Sequence, residues 1–247
     1  NYSNYTMSKK QYNNFNIENI RLERESHTYI LQDNENIEFT SVTTFLSDFF
    51  EKFDSEKIAN KLVNKVPKYA HLTAEELIGQ WNEARDHGTK VHNEIEDYLI
   101  DNKAPTESKA FNAIDWLNKN CNQEQHVALS EKIVYSEELK LAGSIDLIIH
   151  NKKTNQYSLV DWKTNAKITT SSYGGKSGIH RITSDLEDCK YTLYALQLSL
   201  YRYILEEYYG LDIYRQFIVH LKEDETIAYL TPYYKNHVKQ LTDLRKL

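Results

Sequence analysis

The spacing of apolar positions along the chain changes repeatedly, and each change marks an element. Residues 1–19 are rich in Asn, Tyr and Ser without a periodic apolar set, and read as a mobile tail. His27–Leu31 and Ile37–Thr43 are strand-like around the polar link Asp33–Asn36, which predicts a hairpin. Thr44–Val66 reads as helix, broken near Asp54, with Ile58, Leu62 and Val66 sharing a face. Thr73-Ala-Glu-Glu76 carries a capping-box signature and predicts a helix running toward Ile100, with Gly88 as a point of bending or division. Glu107–Asn120 is a further helix, expected to bury Phe111, Ile114 and Leu117. Strands are predicted over Val127–Tyr135, Lys140–His150 and Tyr157–Trp162. The glycines at 174, 175 and 178 make Lys167–Asp185 a flexible loop. Asp188–Tyr209 is a long helix ended by Gly210, followed by strands at Arg215–Leu221 and Thr226–Thr231 and a closing helix at Tyr233–Leu247. The order predicts one mixed α/β domain over residues 20–247, with residues 44–120 as a helical elaboration.

Composition narrows the class. With 247 residues, 40% hydrophobic and 27% charged, the chain has the make-up of a globular domain. No run approaches the roughly 20 apolar residues of a membrane span, and no signal-peptide pattern is present. The chain opens on Asn1, so its native start lies either upstream or at Met7. Two cysteines, Cys121 and Cys189, are too few for a four-cysteine iron–sulfur cluster or a disulfide framework, and suit a reducing, intracellular setting. Cytoplasm, mitochondrion and virus-infected cell all meet that condition. The net charge of −6 is unlike the basic balance usual in nucleic-acid binders, so cations for such a partner must cluster locally. Lys57, Lys61, Lys65 and Lys68 form one such stripe. It is either a solvated helix face or a rim that contacts phosphate.

The chemistry concentrates in Gly143-Ser-Ile-Asp146 and Tyr157-Ser-Leu-Val-Asp161-Trp-Lys163. Two strands joined by the polar link His150–Gln156 bring the carboxylates of Asp146 and Asp161 together. Lys163 falls on the same side as Asp161, because strand side chains alternate faces. Two carboxylates suit a hard divalent cation, and an ammonium beside them suits phosphodiester hydrolysis, where negative charge must be neutralised. The bland alternative is a surface Asp/Lys pair at a strand end.

This pattern resembles the active-site hairpin of the PD-(D/E)XK nuclease superfamily, and the Gly-x-Ile-Asp form resembles its RecB-like exonuclease branch. The flanks agree: Gly88-x-x-x-His92 lies upstream and Gln197-x-x-x-Tyr201 downstream, in the order that branch uses. Ser41-Val-Thr-Thr and Phe53-Asp54 are also similar to the N-terminal part of mitochondrial genome maintenance exonucleases and related phage enzymes. The resemblance implies a restriction-endonuclease-like mixed β-sheet core flanked by helices, with a helical insertion before the catalytic hairpin.

It also implies roles. Asp146 and Asp161 are metal ligands, the backbone carbonyl of Trp162 completes a shell, and His92 adds an imidazole. That set tolerates Mg²⁺ and suits Mn²⁺ better, because imidazole favours softer ions. Lys163 orients the attacking water and stabilises charge on the phosphate. Gln197 and Tyr201 face DNA. Glu96 and Glu131 are second-tier: Glu96 is a water-binding or simply solvated carboxylate, and Glu131 stands where the family often carries a glutamate. The implied function is a metal-dependent deoxyribonuclease acting as an exonuclease on single strands or strand ends, in DNA replication, repair or recombination. The alternatives are a structure-specific or nicking endonuclease and a non-catalytic nucleic-acid-binding subunit. No Gly-x-x-x-x-Gly-Lys-Ser/Thr pattern occurs, so a helicase would be another chain. The sequence names no protein partner.

Overall fold

A computed structural model describes residues 19–246. The tail expected over residues 1–19 thus lies, save its last residue, outside the described residues.

The fold opens with a two-stranded antiparallel ribbon, β1 (Ile20–Glu23) and β2 (Thr28–Leu31). The expected hairpin between 27–31 and 37–43 is therefore corrected: β2 pairs backwards, not forwards. Only Thr40–Ser41 of the second segment is strand, β3. Ile20 and Leu31 turn inward from the ribbon onto Ala142, a packing choice that a four-residue run does not disclose.

Next come α1 (Val42–Ser47), α2 (Ser55–Lys65), α3 (Ala74–Asp101) and α4 (Ser108–Asn120). The break near Asp54 is real, and Asp54 is the N-cap of α2, its side chain accepting from the Lys57 N–H. The Thr73/Glu76 capping box starts α3, whose 28 residues run unbroken through Gly88. Phe111, expected inside, is 56% exposed, while Ala110, Ala113, Ile114 and Leu117 take the buried face of α4.

The main sheet has six strands: β3, β4 (His126–Ser136), β5 (Leu141–Asn151), β6 (Gln156–Lys163), β7 (Ile213–Leu221) and β8 (Thr226–Leu230). Between β6 and β7 runs α5 (Lys190–Tyr209), closed by Gly210 at φ 66°, and α6 (Lys235–Asp243) follows β8. Helices cover both faces. Helices α1, α5 and α6 pack on one face with Ile145, Ile148, Leu159 and Ile218. Helices α3 and α4 pack on the other with Leu147, Val160, Trp162 and Val219. This is a mixed α/β architecture consistent with the restriction-endonuclease-like fold. The segment 167–185, expected to be flexible, is irregular but anchored: Ile168, Ile182 and Thr183 are buried, and Thr183 Oγ1 donates to the Phe49 carbonyl at 3.0 Å.

One edge of β5 is shared. At its start, Leu141 and Ala142 pair in parallel with β3; from Leu147 to Asn151 it pairs antiparallel with β6. Among the described residues no strand pairs with that edge over Gly143–Asp146. The fork opens at the residues the sequence singled out.

Candidate active site

Asp146 and Asp161 stand where β5 and β6 part, one position beyond the last ladder pair, Leu147–Val160. The Asp146 carboxylate replaces the lost partner: its Oδ2 accepts the Trp162 N–H at 2.8 Å. In a strand, the N–H and C=O of one residue point to the same edge. The Trp162 carbonyl therefore faces the same side as Asp146.

On the far side of Asp146 lies β4. Ser130 pairs with Leu147 and Lys132 with Ile145, but the intervening Glu131–Asp146 pair is not bridged. Glu131 has φ 48°, a left-handed conformation that costs about 1–3 kcal/mol in a non-glycine residue and concentrates at functional positions. Its Oε2 accepts from Ser144 Oγ at 2.9 Å.

His92 comes from the middle of α3, with Nδ1 3.6 Å from Asp146 Oδ1. Gly88, one helical turn earlier, explains how the helix comes so close: a Cβ there would stand 2.7 Å from Thr164 Oγ1, at the end of β6. Spacing i, i+4 places Gly88 and His92 on one face, so the contact that needs glycine also aims the imidazole.

One donor atom each from His92, Glu131 and Asp146 lie within 4.8 Å of one another. Ligands about 2.0–2.3 Å from a shared ion stand roughly 3–4.6 Å apart, so this trio fits a divalent cation. Asp161 is beside it. Lys163 Nζ lies 3.0 Å from its Oδ1 and 2.8 Å from its Oδ2. Oδ2 is buried, and the Lys163 ammonium meets it without a well-aligned hydrogen bond.

The electrostatics are those of a crowded, half-dry site. Burial lifts Glu131 to about 7, and Asp146 adds repulsion. Burial lifts Asp161 to about 6 against the pull of Lys163. Burial opposes the charge on His92, but Asp146 outweighs it and raises the imidazole to about 9. Asp146 is lowered despite its burial, held by His92 and Lys163. Lys163 is raised, its burial overcome by Asp161 and Asp146.

The site opens into a cleft of about 1030 Å³. Its walls come from the β1–β2 ribbon, α2, α3, the chain after β6 and the start of α5. Glu96 reaches it, 3.9 Å from Arg24. Besides Lys163, its cations are Arg24, Arg85, Lys167 and Lys190, which come from four separate parts of the chain and were not singled out from sequence. Lys57, Lys61, Lys65 and Lys68 do not line the cleft; α2 turns Ile58 and Leu62 toward it instead. Ile58 and Leu62 stand one residue on from Lys57 and Lys61 and so on the next face of the helix, which leaves the stripe outside the cleft, as a solvated face or a more distant rim.

Gln197 is half-buried, and its Nε2 donates to the Tyr201 hydroxyl at 3.2 Å. Tyr201 itself is 4% exposed and packs on Gly143. Its ring has no free face to offer DNA, which corrects the contact expected of it. The ring instead packs over Gly143, in the β5 segment that leads to Asp146.

No family model matches the chain, and no curated protein does. Among solved structures, the chain is similar to the protein SSO0001 at 13% identity and a TM-score of 0.34, over 83% of this chain and 73% of that one. It is also similar to a Eubacterium rectale protein named as a candidate exonuclease, at 10% identity and a TM-score of 0.35, over 98% and 83%. At such distance the function rests on the site's own residues. Among the described residues no helix is long and apolar enough to cross a membrane.

Proposed function

We propose that this protein is a metal-dependent nuclease that hydrolyses phosphodiester bonds in DNA. The observation that carries the reading is the meeting, in one cleft, of the His92–Glu131–Asp146 trio with the Asp161–Lys163 ion pair. His92, Glu131 and Asp146 would hold Mg²⁺ or Mn²⁺, with Asp161 and the Trp162 carbonyl beside them. The bound ion supplies Lewis-acid neutralisation of charge on the phosphoryl group. The chain's own groups do the rest. Lys163 donates hydrogen bonds to a non-bridging phosphate oxygen or to the attacking water, and Asp161 pairs with that ammonium. Asp146 locks the β5–β6 fork through the Trp162 N–H. Arg24, Arg85, Lys167 and Lys190 hold the flanking phosphates.

The finer reading is an exonuclease on single strands or strand ends, built as one nuclease domain over residues 20–247 with 44–120 as a helical elaboration. Half-exposed Trp81 and Phe53, 68% exposed, lie in the cleft with ring centroids 5.7 Å apart and favour unpaired bases, whose faces are free to stack. A nicking endonuclease is the second reading. The test is end-labelled linear and circular single strands of equal length, with Mn²⁺, with Mg²⁺ and with chelator. Loss of the linear strand alone supports the exonuclease. Cleavage of the circle supports the endonuclease. Binding without cleavage in either metal overturns both in favour of a non-catalytic subunit.

A further inference from the structure

We propose that Tyr194 is a positioning residue for Lys163, holding the ammonium in place by the face of its ring. Lysine ends in a point charge on a flexible stem with several rotatable bonds, so one carboxylate does not by itself fix it. Here two groups do. Asp161 takes the ammonium on one side, and the Tyr194 ring lies on another, with Nζ 4.3 Å from the ring centroid. That distance is well inside the range of a cation–π contact.

The ring is itself held. The Tyr194 hydroxyl donates to Asn165 Oδ1 at 3.2 Å, and the Asn165 carbonyl meets Nε2 of buried His220 at 2.5 Å. Lys163 and Asn165, two apart in sequence, both reach Tyr194. One tyrosine then spans them, its face under the ammonium and its hydroxyl on the amide. The choice of group has a physical reason. Asp146, Asp161, Glu131 and Glu96 already crowd this part of the cleft, and another carboxylate would repel them. An aromatic face attracts the ammonium without adding a formal charge.

The role differs from that of the two residues at matching positions on the same helix. Tyr194, Gln197 and Tyr201 are spaced to share one side of α5. Tyr201 is sealed against Gly143, whereas Tyr194 lines the cleft.

The inference rests on Lys163 facing the phosphate, so its test has one arm independent of cleavage. With ¹³C-labelled lysine, the ε-methylene signal of Lys163, assigned by its loss in Lys163→Met, is expected at high field in the wild type. The ring current causes that displacement. Tyr194→Phe keeps it and Tyr194→Leu abolishes it. An undisplaced wild-type signal, or a displaced one in Tyr194→Leu, overturns the contact. In the second arm, kcat and KM are measured on a labelled single strand with Mn²⁺. Tyr194→Leu should lose about 10- to 100-fold in kcat with KM little changed, as for a misplaced catalytic group. Tyr194→Phe should stay within about threefold of wild type, because the ring face survives. A loss confined to KM, or an equal loss in both variants, overturns the positioning role. If the wild type cleaves nothing, the nuclease reading fails, and the spectroscopic arm still decides whether Tyr194 holds Lys163.

Discussion

Gly143 and Tyr201 share a space that only one of them can fill: a Cβ on Gly143 would stand 2.5 Å from Cε1 of the tyrosine ring. The ring takes the volume that a side chain at 143 would occupy, and in doing so packs on the stretch of β5 leading to Asp146, which β4 pairs on one edge only. Gly143→Ala should therefore destabilise the fold by about 1–3 kcal/mol through overpacking. Tyr201→Ala should cost about 3–5 kcal/mol through the cavity it leaves. Denaturant unfolding checks both. An unchanged midpoint in Gly143→Ala would mean that the ring lies elsewhere.

Metal affinity and turnover should separate by residue. His92→Ala, Glu131→Gln and Asp146→Asn are each expected to weaken Mn²⁺ binding by about tenfold or more, since each removes a donor or a charge the donors depend on. Lys163→Met should bind Mn²⁺ as well as the wild type and lose about 10²- to 10³-fold in cleavage, the usual cost of one transition-state donor. Calorimetry on the metal-free protein, paired with cleavage rates, measures the two effects. Loss of Mn²⁺ binding in Lys163→Met would contradict this division of labour.

Glu131 sets a pH dependence whose sign is opposite to that of a salt-bridged acid. Burial lifts its carboxyl from 4.5 to about 7. Below its unfolded value it is protonated in both states and contributes nothing. Between there and about 7 the unfolded chain sheds the proton first, so the fold loses stability as pH rises, and above about 7 the cost is complete. Glu131→Gln should accordingly raise the Tm of the metal-free protein at pH 8 and leave it unchanged at pH 4. Saturating Mn²⁺ should reverse the order at pH 8, because the ion stabilises the wild type more. Scanning calorimetry at the two pH values, with and without metal, reads both signs.

The cleft cations, and not the α2 stripe, should dominate the salt dependence of DNA binding. Removing two of Arg24, Arg85, Lys167 and Lys190 should flatten the slope of log K against log salt by about 1.4 on single strands. Removing Lys57, Lys61 and Lys65 should change it less. Titrations at several salt concentrations compare the two sets, and a larger effect from the stripe would place the strand along α2 instead.

What could be read from sequence depended on distance along the chain. The strands carrying Asp146, Asp161 and Lys163 were legible because their apolar runs are long and their partners adjacent. The start of α3 was legible because a capping box is a four-residue signal. Glu131 was read as second-tier, and its place in the proposed trio comes from a left-handed backbone and a register opposite Asp146, neither of which a side-chain pattern encodes. The resemblance implied that Tyr201 faces DNA, yet the ring is buried against a glycine far earlier in the chain, Gly143. The lysine stripe attracted notice because it is contiguous. The cations of the cleft are dispersed and meet only after folding. The β1 strand was missed because its two inward residues, Ile20 and Leu22, are separated and followed by charges.

The shared edge of β5 has a mechanical consequence. Held by β3 at one end and β6 at the other, the strand is clamped like a beam at both supports, with one side of its midspan free of ladder bonds. Asp146 sits next to the inner support. On that edge the midspan is tied to β6 through the Asp146 carboxylate on the Trp162 N–H, while β4 pairs its other edge. Amide exchange is expected to read this as faster opening at Gly143–Asp146 than at Leu147–Asn151: a span held along one edge between two that are held along both.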